Sequence, residues 1–221
     1  KKGIIGVNIG PNKDTKDQKA DFCLGLNFFL SIADYITINI SSPNTENLRN
    51  FQDQTRLDEL LKEINREKID LNSKIPIVVK IAPDINDNDI KKISEVLMNN
   101  EVGAVIISNT SNATRENLKD IQKHQKGGLS GKPIEVKSNL LINKFYKNLK
   151  NKIKIIGVGG VDSGLSAYNK FLAGADYIQL YTGMVYKGPN IVNIIKNDLR
   201  KILTQEGVKN FTEIVGNKSK L

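Results

Sequence analysis

Side chains able to do chemistry gather in short bursts along this chain, and each burst closes an apolar run. The densest is Asn39-Ile-Ser-Ser-Pro-Asn-Thr45, at the end of Tyr35-Ile-Thr-Ile-Asn-Ile40, whose β-branched alternation reads as a buried strand. Ser-Pro-Asn is ordinary turn chemistry, so the segment reads equally as a turn or as a site of amides and hydroxyls. Lys80 stands in Val78-Val-Lys-Ile-Ala82, with apolar neighbours on both sides. Pointed inward it needs a partner, because an unpaired buried charge is costly. Such a lysine could form a Schiff base or offset negative charge on a bound group; the plainer alternative is an ammonium snorkelling out at a strand end. Asn8, Ser108-Asn-Thr110, Gly159-Gly160 and Tyr181-Thr182 close the other apolar runs. Amides and hydroxyls with a single cation and few carboxylates suit a planar heterocycle with carbonyl and imide edges. Carboxylate pairs of the glycosidase kind are not evident.

Composition narrows the classes. The chain has 221 residues, 39% hydrophobic and 26% charged, enough for a real core. Its single cysteine, Cys23, excludes an internal disulfide and reads as a small buried hydrophobe in Phe22-Cys-Leu-Gly-Leu26. The single histidine, His124, lies among Lys123, Gln125 and Lys126 and reads as a surface loop residue. Metal hydrolysis and Cys-His catalysis therefore have almost no material. The net charge of +9 raises a nucleic-acid or anionic-surface partner. The lysines, though, are scattered over helical stretches such as Lys144–Lys152, and solvated helix faces explain them better; no nucleic-acid partner is expected. No stretch has the length and apolarity of a membrane span.

The elements that must position these groups alternate without a break. Strands are expected at Ile4–Gly10, Tyr35–Ile40, Ile75–Ile81, Val102–Ser108, Lys154–Val158 and Tyr177–Tyr181. Helices succeed each: one capped by Asp14 or Thr15 and running to Ala33, and one carrying Leu57, Leu60, Leu61, Ile64 and Ile69. The third starts at Asn86 or Asp87, and the last three cover Ile134–Leu149, Ser163–Ala173 and Pro189–Leu203. Strand-helix alternation with continuous apolar strands predicts a parallel α/β sheet. No G-x-G-x-x-G opens a helix, which disfavours a doubly wound dinucleotide fold. Every polar burst falls at a strand's C-terminal end, as in a (β/α)8 TIM barrel, where that rim carries the chemistry. Six of the eight strand-helix units are present, so two are expected from a segment preceding Lys1. Gly157-Val-Gly-Gly160 and Tyr181-Thr-Gly183 then come after barrel strands seven and eight, the usual phosphate loops of this fold. Amides near Ser163, at a helix N-terminus, are expected to favour the same anion.

Six segments in register carry a resemblance. Asn39–Thr45, Lys80-Ile-Ala-Pro-Asp84, Ser108-Asn-Thr110, Gly127-Gly-Leu-Ser-Gly-Lys-Pro133, Ile156-Gly-Val-Gly-Gly160 and Gln179-Leu-Tyr-Thr182 are together similar to dihydroorotate dehydrogenase. More narrowly, the chain resembles the membrane-associated, quinone-reducing class 2. The resemblance implies a single FMN-binding barrel domain over residues 1–221, incomplete at its N-terminus. It implies that Asn8, Asn39, Lys80, Ser108, Gly131, Gly160, Tyr181 and Thr182 hold FMN, the last three around its phosphate. Asn39, Asn44, Asn109 and Thr110 would hold dihydroorotate. Ser42 would be the base that takes the C5 proton, where the soluble class 1 pattern has cysteine. A serine hydroxyl is a weak base at neutral pH, so a relay is expected to carry the proton onward, and Lys80 would offset charge on the reduced flavin.

The activity implied by this resemblance is oxidation of (S)-dihydroorotate to orotate, with a quinone as electron acceptor, in pyrimidine biosynthesis. Peripheral association with a bacterial cytoplasmic (inner) or mitochondrial inner membrane would come through an N-terminal segment outside this sequence. By itself the 221-residue chain is expected to be an open barrel with exposed strand edges, poorly soluble and inactive. Three other readings stand beside this one: a class 1-type enzyme with a soluble acceptor, a phosphate-binding barrel isomerase or lyase using Lys80 as a Schiff base, and a nucleic-acid binder.

Overall fold

A computed structural model describes residues 3–45, 47–112, 115–149 and 151–217. Its centre is one parallel sheet of six strands in the order β1-β2-β3-β4-β5-β6, each paired with its neighbour in sequence. The strands are β1 Gly6–Ile9, β2 Tyr35–Asn39, β3 Ile77–Ile81, β4 Ala104–Ile107, β5 Lys154–Gly157 and β6 Tyr177–Ile178. Strictly sequential order with a helical crossover at each step is barrel winding; a doubly wound sheet would reverse direction from its first strand. The sheet curls far enough that Gln179 Nε2, beyond β6, donates to the Tyr35 hydroxyl of β2 at 3.4 Å.

Strand periodicity sorts the side chains into two layers. Tyr35, Val78, Ala104, Ile106, Ile156 and Val158 form a small cluster on the concave, inner face. Ile36, Ile38, Ile77, Val79, Val105, Ile107 and Ile155 join the main core on the convex face, against the helices. Those helices are α1 Gln18–Phe29, α2 Gln54–Asp70, α3 Asp87–Asn99, α4 Glu135–Leu149 and α5 Gly164–Ala173, with α6 Thr182–Lys187 and α7 Ile191–Gln205 after β6. They bring Phe22, Leu26, Leu57, Leu60, Leu61, Ile64, Ile93, Leu97, Ile142 and Phe145 into that core, all at most 1% exposed. Most are spaced three or four apart, as an inward helical face requires.

Local signals set most boundaries, and several differ from expectation. Helix α1 starts after Asp17, whose carboxylate accepts from the amides of Lys19 and Ala20; Asp14 and Thr15 stay in the preceding loop. It ends at Phe29 rather than Ala33. Asn86 caps α3 by accepting from Asp89 N, and Gly174 closes α5 at φ +119°. Ile69 is 77% exposed, because the last turn of α2 runs past its packing stripe. The strands are shorter than their apolar runs, β6 most of all. Helix α6 has no counterpart among the expected elements: a six-residue helix with a glycine in it carries no readable periodicity. Cys23 is half-buried, and His124 is exposed at the end of a short 3-10 turn.

Candidate active site

The inner face changes character along the strands. Deeper in, Val78, Ala104, Ile106 and Ile156 fill it; at the C-terminal ends Asn8, Asn39, Lys80 and Ser108 replace them. Register fixes these neighbours, with Asn39 opposite Lys80 and Asn8 opposite Thr37. Residues two apart on a strand face the same side, so one polar rim residue per strand yields a continuous ring.

Ser41, wholly buried, ties the rim of β2 to that of β4. Its hydroxyl donates to Asn39 Oδ1 at 2.6 Å and accepts from Asn109 Nδ2 at 2.8 Å. Asn109 Oδ1 accepts from Thr110 N at 2.7 Å, so the Asn109 amide is largely engaged inside the protein. Among the described residues no acceptor engages Asn39 Nδ2, whose hydrogens stay available. Ser42 is half-buried and its hydroxyl oxygen accepts from Asn44 N at 3.2 Å, the turn that Pro43 stiffens; Asn44 itself is exposed. Segment 39–45 is thus turn and rim at once.

Arg49 fastens this rim from outside. Its guanidinium donates to Ser41 O and Thr110 O, each at 3.2 Å, and pairs with Asp84 at 3.4 Å, spanning the loops after β2, β4 and β3. Asp84 also accepts from Ser111 Oγ at 2.7 Å, from Asn112 N at 2.9 Å, and from the ammonium of Lys137 on α4. Burial opposes ionisation of that carboxyl, but these donors outweigh it and hold its pKa below the ordinary value.

Lys80 is half-buried, and burial pushes its pKa down. No hydrogen bond or ion pair within the described residues engages its ammonium. The partner an inward lysine needs is therefore not supplied by these residues.

A cavity of about 890 Å³ opens beside Lys80 and runs along the rim to β6. Lys80, Ser108, Asn109, Thr110, Gly131, Gly160, Tyr181 and Thr182 line it; Asn8, Asn39, Ser42 and Asn44 lie on the adjoining rim and do not. Its roof is the segment after β4, folded back by an antiparallel bridge between Ser111 and Leu129. Arg115 holds that segment by donating to the carbonyls of Lys123, Gln125 and Gly127. Glycine is required where backbone passes close. Gly160 sits at φ +77°, and an added Cβ would lie 2.4 Å from Glu135 Cβ; a Cβ on Gly128 would lie 1.8 Å from Thr110 Oγ1.

The far end of the cavity suits an anion. The amides of Gly159 and Gly160 have no hydrogen-bond partner within the described residues. At Ser163 part of the expected donor set is already used. A capping box there already engages the amides of Asp162, Ser163 and Ser166 with the hydroxyls of Ser166 and Ser163. Further donors for an anion sit just before it, in the glycine loop.

The cavity thus offers amide donors at one end and a lysine at the other, an arrangement that suits an anion-bearing ligand. A family model described as dihydroorotate dehydrogenase matches residues 1–203. The chain belongs to the dihydroorotate dehydrogenase family. It is 41% identical over 218 residues to a dihydroorotate dehydrogenase (quinone) of Bartonella tribocorum, covering 96% of this chain and 60% of that protein. A protein of the same name from Idiomarina loihiensis is 44% identical over 204 residues, covering 90% and 61%. The crystal structure of Eimeria tenella DHODH in complex with ferulenol superposes with a TM-score of 0.94 at 33% identity, covering 99% of this chain and 62% of that one. The chain thus spans about 60% of the length of the curated relatives it matches. Within this family fold, a TIM barrel, the described strands make a six-stranded part.

Sequence reading misses the residues that brace the rim: Ser41, Arg49, Ser111 and Lys137. Asp84 stands out in the sequence only as the end of a motif. Arg49 lies in a stretch without periodicity, and nothing local ties it to Thr110, 61 positions on. Among the described residues no helix is long and apolar enough to cross a membrane, and no group of His, Cys, Asp and Glu is arranged to hold a metal ion.

Proposed function

We propose that these residues belong to an enzyme that oxidises (S)-dihydroorotate to orotate with FMN and passes the electrons to a quinone, a step of pyrimidine biosynthesis. The observation that carries this is the cavity between Lys80 and the free amides of Gly159 and Gly160, in a chain of this family. FMN fits the donor set: the volume is that of a cofactor pocket, and Gly159 and Gly160, which line it, carry amides without a partner among the described residues. Asn8, Asn39, Lys80, Ser108 and Gly131 would hold the ring and ribityl part, with Gly160, Tyr181 and Thr182 around the phosphate. When bound, FMN supplies the acceptor for the hydride that substrate loses at C6.

The chain's own residues do the rest. Asn39 and Asn44, with Thr110, would grip the pyrimidine amides and carbonyls. Asn109 would contribute its remaining N–H and lone pair while it braces Ser41. Ser42 would accept the C5 proton at Oγ. Among the described residues, only a donor, Asn44 N, is hydrogen-bonded to that oxygen, which leaves solvent to complete the relay. Lys80 would gain the negative partner that its setting lacks and offset charge that develops beside it.

The 221 residues are best read as most of one barrel domain, completed by two strand-helix units from outside this sequence. Supporting this, β1 and β6 are paired on one side only, and Ile4, Phe28, Tyr181 and Tyr186 lie more than three-quarters exposed near those edges. Peripheral membrane association would likewise come from beyond these residues. For the acceptor, Ser42 at the base position and relatives named for quinone point the same way. Reoxidation of the dihydroorotate-reduced full-length protein checks it: a short-chain ubiquinone should outpace fumarate and NAD by orders of magnitude. Equal or faster reoxidation by either soluble acceptor would place the enzyme with class 1.

A further inference from the structure

Lys170, on α5, is 0% exposed and carries its ammonium into a place with no carboxylate in contact. It donates to Ser138 Oγ at 3.1 Å and to Asn139 Oδ1 at 2.9 Å, both neutral and both on α4. A buried cation satisfied only by neutral groups is destabilising unless it serves something else. Burial pushes its pKa down to about 7, with Glu135 raising it and Lys132 lowering it. The ammonium is therefore poised to gain from a nearby anion, and its neighbours lead to the glycine loop after β5.

Ser138, having accepted from Lys170, donates its own hydroxyl hydrogen to Val158 O at 2.6 Å. The same carbonyl accepts from Ser108 N of the β4 rim at 3.2 Å, so it points toward β4. Across a trans peptide, C=O and N–H point in opposite directions. The Gly159 N–H is thereby directed to the other side, where β6 runs out into Tyr181 and Thr182. That amide has no protein partner among the described residues, and Gly159 lines the large cavity. The packing is close: a Cβ on Gly157 would lie 3.1 Å from Lys170 Cδ, and one on Gly159 would lie 3.3 Å from Ser138 Cβ.

We propose that Lys170 is a positioning residue of the anion subsite, acting through Ser138 and the Val158–Gly159 peptide to strengthen the Gly159 N–H as a donor to the phosphate of the bound nucleotide. Each hydrogen bond in the series polarises the next, so a charge behind the loop is felt at the donor in front of it. The ammonium needs no direct contact with ligand, and its positive field also favours the anion. This rests on the FMN reading above and adds which residues serve the phosphate rather than the ring.

The test compares FMN with riboflavin, which lacks the phosphate, by fluorescence titration of full-length protein freed of flavin. The parent should bind FMN far more tightly than riboflavin. Lys170→Met should weaken FMN roughly fivefold, about the net contribution of one hydrogen bond, and change riboflavin less than about twofold. Ser138→Ala, which cuts the relay but leaves the ammonium in place, should shift the preference in the same direction. A purely structural role would weaken both flavins alike, and that result, or an unchanged FMN preference in both variants, overturns the proposal. A parent protein that binds neither flavin would overturn the FMN reading itself, a distinguishable failure.

Discussion

Ser42→Ala in the full-length protein should leave FMN bound and slow its reduction by dihydroorotate about 10²–10⁴-fold, the range for removing a general base. The reasoning is local. Ser42 Oγ is half-buried on the rim of β2, held by Asn44 N at 3.2 Å, and it lies outside the cavity that would take the cofactor. Flavin content should therefore hardly change while the proton at C5 loses its acceptor. Stopped-flow absorbance under anaerobic conditions reads the rate, and flavin released by heat reads the occupancy. Unchanged reduction would remove Ser42 from the chemistry. Lost flavin would mean that segment 39–45 supports the cofactor instead of the substrate.

Lys80→Met should fail differently. Lys80 lines the cavity, burial depresses its pKa, and no group among the described residues compensates its charge. Methionine keeps the volume and removes the charge. Reduction by dihydroorotate should slow about 10²–10³-fold, as when one preorganised donor to a developing charge is removed. Flavin retention should fall as well, which separates this variant from Ser42→Ala. The protein without flavin should be no less stable than the parent, since a charge costly to bury has been taken away. Full activity in Lys80→Met would return the lysine to a snorkelling role at the strand end.

The architecture is legible because buried parallel strands announce themselves. Val79, Val105 and Ile155 sit in continuous apolar runs, Ile36 and Ile38 in a β-branched alternation, and each ends where polar residues begin. Strand order is legible too, since helical crossovers at every step leave few arrangements. Boundaries are less so. Asp14, Thr15 and Asp17 are all good caps by type, and only the geometry chooses Asp17. Helix α6 is invisible for want of length.

The rim is half legible. Asn39, Lys80, Ser108 and Thr110 can be picked out because polar residues are out of place at the end of an apolar strand. Ser41 hides between two more conspicuous neighbours, although it is the residue that joins Asn39 to Asn109. Arg49, Lys137 and Lys170 look like the other surface cations of a basic chain. What distinguishes them is contact across 31 to 61 positions, which no local pattern encodes. The Ser163 helix N-terminus shows the same limit. Sequence marks the amides there as anion donors, but not that Ser166 and Ser163 already engage three of them.

The most direct measurement of the central claim is anaerobic mixing of the purified full-length protein with (S)-dihydroorotate. The flavin's visible absorption should bleach fully, with one orotate formed per FMN, and should return on adding quinone. A colourless protein, or a yellow one whose absorption stays constant in excess dihydroorotate, would contradict it.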